Sequence, residues 1–174
     1  MASSLITKKR IAKAFKSLLL KVDFDKISIV DIMEIAQIRR QTFYNHFLDK
    51  YQLLDWIFEN DLHDQITDNL DFISGRQLLI ELFSYFEKER WFYVKLFEIR
   101  GQNDFYTFYF NYCKTLVEKI WREYASGKID MDFYQFHSTY QAHAMAELTK
   151  SFVLLKEPFP DPNYIIREIT FKKY

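Results

Sequence analysis

Residues that let a chain reverse direction are nearly missing from this one: 174 residues include three glycines and three prolines, where about 7% and 5% are usual. Sheet folds need glycine, proline or their substitutes at hairpins and crossovers. A chain this poor in them folds as helices, so the expected class is all-α. Apolar residues supply 49% and charged residues 28%, a balance that excludes a disordered chain. With 18 Phe, 12 Tyr and 3 Trp, the core has to be built from rings. This length accommodates one domain, or a small module joined to a larger one. The lone cysteine, Cys113, excludes an intramolecular disulfide framework and a Cys-based zinc site, and its place in an aromatic stretch marks a core filler. The N-terminus MASSLITKKRIAKAF lacks an apolar signal region, and no apolar run is long enough to span a bilayer. A soluble, cytoplasmic protein is expected, with no membrane partner.

Helical periodicity begins at once. Ile11, Ala14, Phe15, Leu18, Leu19 and Val22 share one face, while Lys8, Lys9, Lys13, Lys16 and Lys21 fall elsewhere, which predicts a basic amphipathic helix from near Ser3 or Ser4. Residues Asp23 to Lys26 break the period. Ser28 with Asp31 forms a capping box, flanked by the hydrophobic staple Ile27 and Ile32, so a second helix starts at Ser28 and ends near Ala36. After the short segment Gln37 to Arg39 the pattern resumes from about Arg40 to Phe47, with Phe43 and Phe47 on one face. Two short helices across so tight a connection, the second rich in polar groups able to reach base edges, describe a helix-turn-helix. Asp49 and Gln52 then cap a long helix through Leu53, Ile57, Leu62, Ile66 and Leu70 that stops near Ser74-Gly75. Further helices are predicted near 76–89, 91–99, 104–125 and 131–155, with breaks at Gly101 and Gly127. Pro158, Pro160 and Pro162 end the longest of them, and a last short helix covers 164–171.

The zero net charge conceals a division. Residues 1–50 carry ten basic against five acidic side chains, a net of +5, leaving 14 basic against 19 acidic and a net of −5 for residues 51–174. Two modules are therefore expected, 1–50 as a basic three-helix module carrying the helix-turn-helix and 51–174 as an acidic helical bundle. A basic helix pair with Arg39-Arg40 at the start of the second is an electrostatic footprint for phosphate.

The segment SIVDIMEIAQIRRQTFYNHFLDKYQLL, Ser28 to Leu54, resembles the DNA-binding signature of the TetR family of bacterial transcription regulators. The matching residues are Ile32 and Ala36, then Thr42, Phe43, Tyr44, His46 and Phe47, then Lys50, Leu53 and Leu54. Two departures stand out: Gln37 occupies a position often held by glycine, and Arg39, Arg40 and Gln41 replace a small cap, a lysine and a glycine. Within the family, IRRQTFYNHF with LLDWIFEND looks like the subgroup that activates dihydroxyacetone kinase operons in Gram-positive bacteria. That likeness implies residues 1–50 as a DNA-binding domain with operator DNA as partner, residues 51–174 as a helical domain for regulation and dimerisation in a homodimer, and a dihydroxyacetone-binding co-regulator protein. The expected base-facing residues are Arg39, Arg40, Gln41, Thr42 and Asn45, since arginine suits guanine and glutamine or asparagine suits adenine. Tyr44 and His46 are expected on phosphates, as the resemblance implies. Lys50 and Ser28 are expected there too, each at a helix N-terminus where free N–H groups favour an anion.

Other chemistries are weaker. His143 and Glu147 lie one helical turn apart but have no evident third ligand, so no metal is expected, and His63 and His137 have no nucleophile to serve. There is no Gly-rich phosphate loop, paired-carboxylate signature or nucleophilic serine motif, so neither an enzyme nor a cofactor is expected. Phe105, Tyr106, Phe108, Tyr109, Phe110 and Tyr112 leave no polar face and place their helix through the middle of the second module, as packed core rather than an effector cavity. Ala142, Ala144 and Ala146 allow another helix to approach closely, and the resemblance implies a two-fold four-helix dimer there. The alternatives are a repressor released by a small hydrophobic effector in the aromatic domain, and an adaptor whose helix-turn-helix meets only protein.

Overall fold

A computed structural model describes residues 2–65, 73–99, 105–125 and 130–170. The features expected at the Leu62 and His63 side chains, Ile66, Leu70, Gly101, Gly127 and Phe171 lie outside the described residues. Those described form helices α1 (Ala2–Leu19), α2 (Ile29–Ala36), α3 (Arg40–Tyr44), α4 (Lys50–Gln65), α5 (Gly75–Lys88), α6 (Arg90–Glu98), α7 (Phe105–Tyr124), α8 (Met131–Leu155) and α9 (Pro162–Thr170), with one 3₁₀ turn at Phe24–Lys26. No strand occurs among them. The chain divides into two compact units, Met1–His63 and Asp64–Tyr174.

In the first unit, Ile11, Phe15 and Leu19 of α1 are fully buried together with Ile32 of α2, Phe43 of α3 and Leu53 of α4. Leu18 and Val22, expected on the same face of the first helix, are half-buried at its end. The unit continues thirteen residues past the charge boundary at residue 50, because α4 completes its core. Tyr51 packs edge-on to Phe24, Trp56 lies against Phe47, and Lys16 of α1 is ion-paired with Asp61.

In the second unit, α7 touches α5, α6, α8 and α9 and buries Tyr109, Cys113, Leu116, Val117 and Ile120 completely. It is the central helix anticipated for the aromatic run, although Thr107 and Asn111 give that run an exposed polar edge. Rings fill the interior: Phe86 meets Tyr93 at 4.4 Å and Tyr109 at 5.2 Å, and Phe97 meets Phe105 at 4.9 Å. The Tyr109 hydroxyl donates to Thr149 Oγ1 at 3.0 Å, and that hydroxyl donates to the Met145 carbonyl at 2.8 Å. Burial pushes the Cys113 thiol pKa up, the opposite of what activates a nucleophile.

On α8, Ala142 and Ala146 are buried within the unit and only Ala144 turns outward. Two of the three alanines thus serve packing inside the chain. The outward side of α8 and α9 forms an open groove of about 370 Å³, walled by Tyr140, Ala144, Leu148, Phe152, Tyr164 and Ile165. On the same two helices Phe136, Tyr140, Leu155 and Tyr164 are all more than half exposed.

Candidate nucleic-acid interface

The helix-turn-helix is built by its caps. Ser28 Oγ accepts from the Asp31 N–H at 3.2 Å, while Asp31 Oδ2 accepts from the Ser28 N–H at 2.9 Å and the Ser28 hydroxyl at 2.6 Å. These bonds from Ser28 hold the exposed Asp31 carboxyl below its usual range. At the other end of α2, Gln37 adopts a left-handed conformation (φ 53°, ψ 45°). The Gln37 N–H bonds to Glu34 O, and the Ile38 N–H to Met33 O at 3.1 Å. This double closure is a Schellman ending, and it turns the chain into α3 within three residues.

Regular α3 ends at Tyr44, three residues short of the span expected from the sequence, because Asn45 and His46 tighten into a turn. The Phe47 N–H still reaches Phe43 O at 2.9 Å, so the last turn remains coiled. Phe43 and Phe47 are buried, their rings 5.5 Å apart, and each contributes roughly 1.5–3 kcal/mol by leaving water. No single exposed polar contact matches that, so burial of this pair decides which side of α3 meets solvent. Arg39, Arg40, Gln41, Tyr44 and Asn45 are exposed as a result, and Thr42 and His46 are half-buried beside them.

Two of the exposed residues are already joined. Arg40 Nη2 donates to the Tyr44 hydroxyl at 3.2 Å, and the guanidinium lies 5.8 Å from the centre of the Tyr44 ring. With five N–H donors, Arg40 keeps others for an acceptor, and the phenol keeps its proton for one. The pair therefore offers adjacent donors on one side, the arrangement that grips a phosphate or a guanine edge.

Ser28 and Lys50 are placed differently from these. The Ser28 hydroxyl is committed to Asp31 on the exposed start of α2. Lys50 Nζ turns inward and donates to the carbonyls of Phe24 (2.7 Å), Ile27 (3.1 Å) and Asp25 (3.2 Å). At the N-terminus of α4, Asp49 Oδ1 accepts from the Tyr51 and Gln52 N–H groups at 2.9 and 2.8 Å. Gln52 Oε1 takes the Leu48 N–H at 2.6 Å, one position earlier than a reciprocal box with Asp49 requires.

One contributor has no local signature in the sequence. Lys8 of α1 sits 5.3 Å from the centre of the Phe47 ring and 5.5 Å from that of Trp56, which brings a cation beside the end of the recognition segment. The pairing spans some forty residues, and helical periodicity, which orders only near neighbours, does not reveal it.

The other candidates have ordinary partners. His143 stacks on Phe110 at 4.1 Å, Glu147 pairs with Lys150 at 3.4 Å, and His137 Nε2 donates to Ile169 O at 2.7 Å. Among the described residues, no three His, Cys, Asp or Glu side chains converge as metal ligands, and no helix is long and apolar enough to cross a membrane.

Comparison with known proteins bears on the family and the fold. Residues 76–169 match the TetR-type family model described as a transcriptional regulator C-terminal region. The chain is 42% identical over 120 residues to the HTH-type dhaKLM operon transcriptional activator DhaS of Lactococcus lactis subsp. lactis (strain IL1403). That stretch is 69% of this chain and 63% of the relative, so the match spans less than two thirds of that protein's length. The solved structure of a dihydroxyacetone kinase operon activator DhaS superposes with a TM-score of 0.76 at 33% identity, over 95% of this chain and 92% of that one. A TetR transcriptional regulator from Streptococcus agalactiae 2603V shares the fold, with a TM-score of 0.69 at 22% identity over 97% and 96% of the two chains.

Proposed function

Because this chain belongs to the TetR family of transcriptional regulators, we propose that it binds operator DNA as a homodimer and activates a dihydroxyacetone kinase operon together with a dihydroxyacetone-binding co-regulator protein. The observation that carries the DNA reading is the two-sidedness of the segment around α3, Arg39 to Phe47, with Phe43 and Phe47 buried and Arg39, Arg40, Gln41, Tyr44 and Asn45 exposed. In the major groove, Arg39, Arg40, Gln41, Thr42 and Asn45 read base edges, a good bidentate pair discriminating by roughly 1–3 kcal/mol. Tyr44, His46 and the start of α2 at Ser28 lie along the backbone and fix register. The operon and the sign of regulation rest on likeness to the DhaS activators. The co-regulator is supported by the ring-filled interior, since a signal that arrives on a second protein needs no cavity here. The groove between α8 and α9, rimmed by exposed rings, supports a second copy of the chain as its occupant.

The test is fluorescence anisotropy with a duplex from upstream of the chain's own gene, titrated at several salt concentrations. Affinity is expected to fall steeply with salt, the slope of log K on log salt being about −0.9 per phosphate neutralised. Arg40→Ala and Tyr44→Ala are each expected to weaken binding about tenfold, in line with the loss of one specific contact. Unchanged affinity in both variants overturns the proposal.

A further inference from the structure

We infer that Lys50 is a positioning residue for the recognition helix, a tether from α4 to the start of α2, and not a phosphate ligand; this rests on the DNA-binding reading of α3. An ammonium has three donors and no acceptor. All three are satisfied here by carbonyls of the Phe24–Ile27 segment, at 2.7, 3.2 and 3.1 Å. The same charge lies 4.5 Å from the centre of the Phe24 ring, and that ring is itself buried between Phe15 at 6.1 Å and Tyr51 at 5.0 Å. Partial burial lowers the Lys50 pKa, with nearby Asp25 opposing the shift. Meanwhile the neighbouring α4 N–H groups of Tyr51 and Gln52 are occupied by Asp49, so an arriving phosphate would meet a carboxylate there.

The tether lies where orientation is decided. Ile27 is the last residue before the Ser28 cap of α2, and Lys50 is the first residue of α4. Between them the chain contains α2, the left-handed turn at Gln37, and α3. Joining the two ends closes a loop around the helix-turn-helix and leaves α3 little freedom to pivot. Loss of the tether is therefore expected to blur the fit to a particular base sequence and to leave the number of phosphates contacted unchanged. Base contacts carry sequence information, whereas phosphate contacts set the salt slope.

The experiment compares full-length wild type, Lys50→Met and Lys50→Arg on two duplexes, the chain's own upstream region and a scrambled duplex of equal length, across a salt series. Lys50→Met is expected to lose about tenfold or more on the upstream duplex and little on the scrambled one, with the salt slope unchanged. Lys50→Arg keeps the charge but is expected to lose the same discrimination, because a planar guanidinium does not donate to three converging carbonyls. The proposal is overturned if Lys50→Met weakens both duplexes in parallel, flattens the slope by about one phosphate's worth, and is rescued by Lys50→Arg. Reductive methylation of the wild-type lysines, read by mass spectrometry, decides the point even if the variants fail to fold. Lys50 is expected to react slowly with or without DNA, and fast reaction in the free protein with protection only on DNA sinks the idea. A wild type that does not discriminate between the two duplexes brings down the DNA reading itself, while the methylation result still judges the tether.

Discussion

Gln37 holds the bend between α2 and α3 at φ 53°, one of two non-glycine residues at positive φ among those described. An L-residue with a Cβ meets steric conflict in this region, costing roughly 1–2 kcal/mol. The side chain is exposed, and the two closing bonds come from backbone N–H groups at Gln37 and Ile38, so glycine keeps both. Some of the gain is offset because glycine also makes the unfolded chain more flexible. Gln37→Gly is thus expected to stabilise the protein by about 0.5 kcal/mol, or roughly 1–2 °C in melting temperature at this chain length. A thermal melt in which the glycine variant is less stable than wild type contradicts the strain argument. This position was legible as a departure from the family pattern, since glycine is common there. That the backbone keeps the left-handed turn regardless was not legible, because it depends on how α2 and α3 pack.

Among the elements, helix starts were readable wherever the cap is local. Ser28 and Asp31 lie three residues apart and make their box as the spacing requires, and the range 131–155 expected for the longest helix is that of α8. What escaped reading depends on partners distant in sequence. The N-terminus of α5 is one case: the Gly75 N–H donates to Glu123 Oε2 of α7 at 2.6 Å, and that carboxylate is held by Lys119 at 2.6 Å. A carboxylate is favourable at this end of a helix, and it reaches Gly75 only because α5 and α7 pack closely. A Cβ on Gly75 would come within 2.4 Å of Ile120 Cγ1 and 3.3 Å of the Ile120 Cα. Neither atom is the free end of a flexible chain, so Gly75→Ala is expected to cost about 1–3 kcal/mol. Calorimetry should show the melting temperature lowered by several degrees. A variant as stable as wild type shows that α5 can shift away from α7 without loss. From sequence alone Gly75 reads as a helix stop; its role as a contact surface follows from residues 45 to 48 positions away.

At the scale of the whole chain, the division into +5 and −5 at residue 50 changes when the compact units are counted. Residues 1–63 carry ten basic and eight acidic side chains, a net of +2, and residues 64–174 carry 14 and 16, a net of −2. The stronger asymmetry lies inside the first unit, where the basic segment through α3 is followed by Asp55, Glu59 and Asp61 of α4. Lys16 is ion-paired with Asp61, so part of the positive charge is neutralised internally, leaving Arg39 and Arg40 exposed on the turn into α3 and on its first residue. So small a net charge does not supply tight binding by long-range attraction alone, and two recognition helices engaging one operator would supply the rest. Two linked sites gain an effective-concentration advantage of 10²–10⁴ over one, provided they meet half-sites about one DNA turn, ~34–36 Å, or a multiple apart. The surface expected to join the copies is the groove on α8 and α9, where Leu148 is half exposed beside Tyr140 and Tyr164. Leu148→Glu places a charge in that apolar groove and leaves the residues of α3 unchanged. Sedimentation velocity should then show a monomer in place of the dimer proposed for wild type, with operator affinity reduced at least 10²-fold and the far-UV spectrum unchanged. A Leu148→Glu chain that remains dimeric, or that binds the operator as tightly as wild type once monomeric, removes α8 and α9 from the assembly or dimerisation from DNA recognition.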